Sequence, residues 1–148
     1  MIRPMTVEDI PRLIEMGRDF HKESDQYNLY SFCEEKLWDM GIAALEESHQ
    51  MCIVHDRNGV DGMLYGFAYE QFFSRDMSAS EVFVFVSQDA RGALIGKRLI
   101  KAFELWAESL GVKEMRVGVS AGITTERTVG FYEKLGYDYN STMLKKVL

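Results

Sequence analysis

The chain has 148 residues, 47% of them apolar, with two cysteines and a formal net charge of −6. That supports one domain, residues 1–148, around one core, and it lacks the basic excess that a nucleic-acid partner demands. No apolar run approaches the roughly 20 residues of a membrane span, the first residues hold no secretory apolar segment, and Cys33 and Cys52 form neither a CxxC pair nor a metal-ligand cluster, so a cytoplasmic protein with reduced thiols and no metal is expected.

In chain order, "MIR" reads as a short first strand. A helix follows, with Thr6 or Asp9 as its start signal and Ile10, Leu13, Ile14 and Met16 on its apolar side. A second helix is predicted over 32–47, where Ser31 and Glu34 have capping-box spacing and Leu37, Met40, Ala44 and Leu45 form a stripe. "MCIVHDRNGVDGMLYGFAYEQFF" reads as a hairpin turning at "DRNG", and "EVFVFV" as a further strand. The stripe Ile95, Leu99, Phe103, Trp106 and Leu110 then predicts a helix with the clearest periodicity in the chain. "EMRVGVS" at 114–120 is a predicted strand, "TTERTVGFYEKLG" a helix closed by Gly136, and "YDY" with "STMLKKV" a terminal pair of strands. This order implies an α/β (α+β) fold with a mixed, mostly antiparallel sheet and helices on both faces.

Between the "VFVFV" strand and the striped helix lies "DARGALIGKRL", residues 89–99. A nucleotide-hydrolase loop needs four residues between its first glycine and the Gly-Lys pair; here there are three, and Arg98 replaces the magnesium-binding hydroxyl. A dinucleotide fingerprint fails on glycine spacing and on the acidic ribose ligand. What remains is a helix start whose main-chain N–H groups, from Gly92 through Ala93, Leu94, Ile95 and Gly96 to Lys97, point at one place where the helix dipole favours an anion. Gly92 and Gly96 permit close approach, and Arg91, Lys97 and Arg98 add positive charge, so a pyrophosphate fits. An ordinary strand-to-helix turn uses the same glycines for packing.

The segment "VFVFVSQDARGALIGKRLI" resembles the acetyl-coenzyme A motif of the GNAT superfamily of N-acetyltransferases, in which a strand enters an (R/Q)xxGx(G/A) turn and a helix. "TERTVGFYEKLGY" resembles the second signature of that family, and "IRPMTVEDI" its usual start, so the resemblance spans essentially the whole chain. Three positions depart from the pattern: Leu94 replaces the first turn glycine, Gln88 a frequent proline, and Thr125 the asparagine that commonly opens the second-signature helix.

The resemblance implies a twisted sheet with a splayed central parallel pair, where the pantetheine arm of acetyl-CoA bonds to main-chain groups of Val84, Phe85 and Val86 and the turn from Arg91 to Lys97, with Thr125, completes the coenzyme site. It implies direct transfer of acetyl to a primary amine in a ternary complex. An alkylamine is only about one part in a few thousand neutral at pH 7, a cost of about 4–5 kcal/mol, so a base is needed. Glu81, on the same face as Phe83 and Phe85 by strand alternation, resembles a position that supplies a base in some members; Glu70 is its rival. Tyr132 matches the tyrosine whose hydroxyl protonates the departing sulfur. The alternative is a protein of this fold that binds coenzyme or a partner without catalysis.

His21, His49 and His55 have no triad or ligand spacing, and no Ser or Cys has a nucleophile motif. Residues 1–50 hold 11 acidic against 5 basic residues while the rest balance at 12 against 12. The segment "HKESDQYNLYSF" between the first two helices is acidic and aromatic, which suits a small-molecule or peptide amine through charge and ring contacts, as it suits an exposed loop. A sheet edge at the terminal strands offers a surface for a homodimer.

Overall fold

Apolar runs between Gln50 and Val86, buried on both faces and interrupted by two turns, make the middle of the chain a three-stranded antiparallel meander. The computed structural model describes residues 1–119 and 125–148, the side chain of Ala93 excepted. Its strands are β1 (Ile2–Pro4), β2 (Gln50–Asp56), β3 (Val60–Glu70), β4 (Met77–Val86) and β5 (Glu114–Arg116), in one sheet of order β1-β2-β3-β4-β5. Only β4 and β5 run parallel. Helices α1 (Ile10–Glu23) and α2 (Glu34–Glu46) precede the meander, α3 (Ala93–Ser109) links β4 to β5, and α4 (Thr125–Lys134) follows.

Each face of the sheet carries its own apolar cluster. Ile10, Leu13 and Met16 of α1 pack with Val54, Met63, Tyr65, Phe83 and Phe85, and Leu37, Met40 and Ala44 of α2 close over them. On the other face, Leu99, Ile100, Phe103 and Ala107 of α3 and Tyr132 of α4 cover Ile53, Leu64, Ala68 and Ala79. Buried Asp9 sits at the N-cap position of α1, accepts the Thr6 N–H at 2.8 Å and pairs with Arg3 at 2.6 Å, while Arg3 also holds Asp56 at 2.8 Å. The Arg3 guanidinium keeps both carboxyls below their ordinary pKa, and so ties the chain start to the β2–β3 hairpin. That hairpin turns through Asn58 (φ +63°) and Gly59 (φ +123°), with Asp56 accepting the Gly59 N–H.

β3 and β4 do not stay in simple register. Tyr65 faces Phe83 but Gly66 faces Glu81, so Val82 is the extra residue of a bulge. Glycine is required opposite it: a Cβ on Gly66 would stand 2.3 Å from the Phe103 ring and 2.9 Å from the Ser80 carbonyl oxygen. Glu81 is thereby taken out of phase with Phe83 and Phe85, which corrects the shared face that strand alternation predicts.

Several other expectations change. Ser31 does not cap α2; Cys33 holds the N-cap position without a side-chain bond, and Glu34 pairs with Arg18 of α1. Leu45 and Leu110 end their stripes exposed, because each lies at the last turn beyond the sheet's cover. β5 stops at Arg116. Of the predicted strand, Ser120 lies outside the described residues, as does Thr124 of the last helix. Gly136, at φ +93°, does close α4, with the Tyr137 N–H donated to the Tyr132 carbonyl. Residues 137–148 form no strand, and Met143 and Leu144 remain exposed. The terminal edge imagined for a homodimer is therefore not built of strands. Cys33 is exposed, whereas Cys52 is buried and its thiol is pushed up to about 12 by desolvation.

No helix among the described residues is long and apolar enough to cross a membrane. No group of three His, Cys, Asp or Glu among them has the geometry to hold a metal ion.

Candidate active site

Parallel pairing between β4 and β5 ends at Ser80 and Arg116. Beyond that point β4 continues to Val86 with β3 on one side only, while residues 117–119 depart from it. The two chains splay, and a cleft of about 810 Å³ opens between them. Its floor is Glu81 through Val86, its far wall Gly118, Val119 and the α4 residues Phe131 and Tyr132, and its mouth Arg91, Gly92 and Gly96.

Glu81 stands at the apex, where its Oε1 accepts the Gly118 N–H at 2.9 Å across the opening gap. Desolvation pushes its pKa up to about 7, partly offset by that hydrogen bond. A carboxyl in this state exchanges a proton near neutrality, as a general base for an amine must. Tyr132 is buried, its ring edge-on to Phe131 and Tyr137. Burial first, and then the nearby Glu81 charge, hold its phenol well above the ordinary pKa, so it remains a neutral donor. Glu70 lies at the other end of β3, exposed and outside the cleft.

The turn is open in part. α3 begins at Ala93 with Gly92 at the N-cap position, and a Cβ on Gly92 would meet no atom within 4 Å. The amides of Gly92, Ala93, Leu94 and Ile95 have no carbonyl one turn earlier, whereas helix geometry directs those of Gly96 and Lys97 back to Gly92 and Ala93. The anion-facing set is thus narrower than a run from Gly92 to Lys97. Leu94 is 66% exposed and outside the cleft lining, so its side chain does not plug the site. Ile95 packs into the α3 cluster, Gly96 faces the Phe131 ring, and Lys97 is exposed outside the lining. Thr125 opens α4 and is also outside it. Val84, Phe85 and Val86 line the cleft as the pairing pattern demands.

Arg91 is already engaged. Its two terminal nitrogens hold both carboxylate oxygens of Glu23, the last residue of α1, its Nε donates to the Val86 carbonyl at 3.1 Å, and its guanidinium lies 5.4 Å over the Phe85 ring. Sequence reasoning missed this pair. Tyr27, which lines the cleft, lies in the acidic and aromatic segment singled out for the acceptor, whereas sequence reasoning also missed Phe20 on the α1 side of the cleft, and Arg127, Thr128 and Lys134 on α4. The helical spacing of Arg127, Phe131 and Lys134 is the one signal that could have placed the last group.

Residues 47–139 match the family model of the acetyltransferase (GNAT) domain. No curated protein matches the sequence. Among solved structures, the tetramutant BH1408 protein of Bacillus halodurans superposes with a TM-score of 0.81 at 15% identity, covering 100% of this chain and 99% of that one. The aminoglycoside acetyltransferase HMB0005 from an uncultured soil metagenomic sample gives 0.75 at 13% identity, with 100% and 97% coverage. The aminoglycoside acetyltransferase meta-AAC0020, also from an uncultured soil sample and solved in complex with sisomicin, gives 0.73 at 20% identity, with 100% and 95% coverage. The family match spans well over half of the chain, and the mixed sheet with its parallel β4–β5 pair is the architecture these structures share: the chain belongs to the GNAT acetyltransferase family.

Proposed function

We propose that the chain is a single-domain, cytoplasmic N-acetyltransferase that uses acetyl-CoA as cosubstrate and passes the acetyl group directly to the primary amine of a small molecule. The observation that carries this reading is that Glu81 at the apex of the splay and Tyr132 on the far wall line one cleft, a desolvated carboxyl and a neutral phenol. Fit to the coenzyme is supported by the edge of β4 from Val82 to Val86, which borders no strand among the described residues and, apart from the Val86 carbonyl held by Arg91, offers main-chain groups to an amide-bearing arm, and by the open amides at Gly92–Ile95.

Acetyl-CoA supplies an activated acetyl group as a thioester. Glu81 takes a proton from the ammonium form of the acceptor, directly or through water, which leaves a neutral nitrogen to form the N–C bond; once bonded to carbon, the nitrogen gives up a second proton to solvent. Tyr132 gives its phenolic proton to the sulfur as the C–S bond breaks, and is reprotonated from solvent. The balance is one amide, one free thiol and one proton released per ammonium consumed.

Calorimetric titration with acetyl-CoA, followed by thiol release with amines, tests the reading. Tyr132→Phe is expected to lower turnover by about 10- to 1000-fold with little change in coenzyme affinity. Unchanged turnover on a true substrate removes Tyr132 from the reaction. The competing reading, a fold member that binds without catalysis, draws on the Arg91–Glu23 pair, which occupies a guanidinium otherwise suited to phosphate. Failure to bind acetyl-CoA at about 50 µM, a gain weaker than about 6 kcal/mol, favours it.

A further inference from the structure

The cleft has a second, chemically distinct wall. Phe20 of α1 sits with its ring centroid 5.5 Å from Phe83, 6.0 Å from Phe85 and 5.7 Å from Tyr27, the first two contacts edge-to-face. All four rings line the cavity. Tyr27 comes from the connection between α1 and α2, so this aromatic corner lies on the α1 side, across the floor strand from α4.

The charges along the cavity are the reverse of what a polycation needs. Glu81 is the one carboxylate among the described lining residues, against Arg91, Arg127 and Lys134. Residues 120–124, outside the described set, read SAGIT and add no carboxylate. Glu23, which meets the lining residue Arg91, is committed to it through both oxygens. The acidic excess of the first third of the sequence therefore does not reach the cleft as a charged surface.

A ligand at this end meets one acid and four rings. We propose that the acceptor is a monoamine with an aromatic or similarly flat apolar body, its nitrogen at Glu81 and its body against the corner formed by Phe20, Tyr27 and Phe83. This assignment rests on the acetyltransferase reading and narrows its substrate class. A molecule with several ammonium groups would leave all but one facing rings or cations, without the carboxylates that offset their desolvation. A flat body gains edge and face contacts with the rings.

Thiol release from acetyl-CoA, measured with 2-phenylethylamine, ethanolamine and sisomicin, tests this. The expected order of kcat/KM is 2-phenylethylamine first, by about tenfold or more over ethanolamine, with sisomicin last. Tyr27→Ala is expected to reduce the ratio of 2-phenylethylamine to ethanolamine by about tenfold, and Tyr27→Phe to keep it. Binding of acetyl-CoA combined with equal rates, with a preference for sisomicin, or with no reaction of 2-phenylethylamine overturns the acceptor assignment alone. A ratio unmoved by Tyr27→Ala overturns it as well. Absence of acetyl-CoA binding overturns instead the acetyltransferase reading on which it stands.

Discussion

The two halves of β4 differ more from each other than most separate strands do. From Met77 to Ser80 the strand is hydrogen-bonded on both sides, to β3 and to β5, and Ser78 and Ala79 are buried. From Glu81 onward β3 is its one strand partner among the described residues, Val82 is exposed, and the other edge faces the cleft. The first half behaves as core. The second has surrendered one row of ladder bonds, and a free main-chain edge is what an extended amide ligand can use. Glu81 sits at the boundary, desolvated by the closed half and reachable from the open one.

The sharpest way to break the contrast is Glu81→Gln, which keeps an acceptor for the Gly118 N–H and removes the base. We expect kcat/KM to fall by about 10²- to 10⁴-fold. The parent enzyme should lose activity as pH drops through about 7, where Glu81 protonates, and that limb should vanish in the variant. A retained limb in the pH profile would assign it to another group.

Next in size is a change on the closed side. Gly66→Ala forces a methyl against the Phe103 ring and the Ser80 carbonyl, so it should destabilise the fold by about 1–3 kcal/mol, seen as a lower urea midpoint. A parental midpoint would mean that the bulge relaxes freely.

A subtler effect concerns stability at the boundary. The Glu81 carboxyl titrates near 4.5 when unfolded and near 7 when folded. A raised carboxyl pKa favours the folded state below the lower value and works against it as pH rises through the higher one. Glu81→Gln should therefore gain stability relative to the parent between about pH 4.5 and 7, and hold that gain above, in urea midpoints taken across pH. A difference that does not vary with pH would contradict the burial of the charge. Smallest of all, Leu94→Gly should change acetyl-CoA affinity by less than about threefold, because the exposed side chain leaves the Leu94 amide free to act. Calorimetry reads this directly.

Much of this arrangement is legible in the letters. The stripe through Leu99 and Phe103 is buried as its spacing demands, the Asn58-Gly59 turn folds as that dipeptide does elsewhere, and the turn at Gly92 opens a helix. Glu81 and Tyr132, 51 positions apart in the sequence, line one cleft as the family resemblance implies. The bulge was not legible, since "EVFVFV" alternates without fault and the close approach of Phe103 to Gly66 comes from another element. Nor were the places of Phe20 and Glu23, whose nearness to β4 depends on how α1 lies across the sheet; Tyr27 falls in the segment expected to meet the acceptor, but its partner Phe20 does not. The terminal pair of strands expected at "YDY" and "STMLKKV" is absent, because a strand needs a neighbouring edge to bond to and residues 137–148 form no strand.

The contrast between the two cysteines bears on how turnover is to be followed. Reagents that report free coenzyme thiol react through the thiolate, so Cys52, shielded and with its pKa pushed up to about 12, stays silent while the exposed Cys33 is modified at once. Each chain then contributes a single instantaneous increment to the absorbance, proportional to enzyme and independent of time. A Cys33→Ser chain would bring that blank to zero, and any slow increment remaining in it would report opening of the sheet around Cys52.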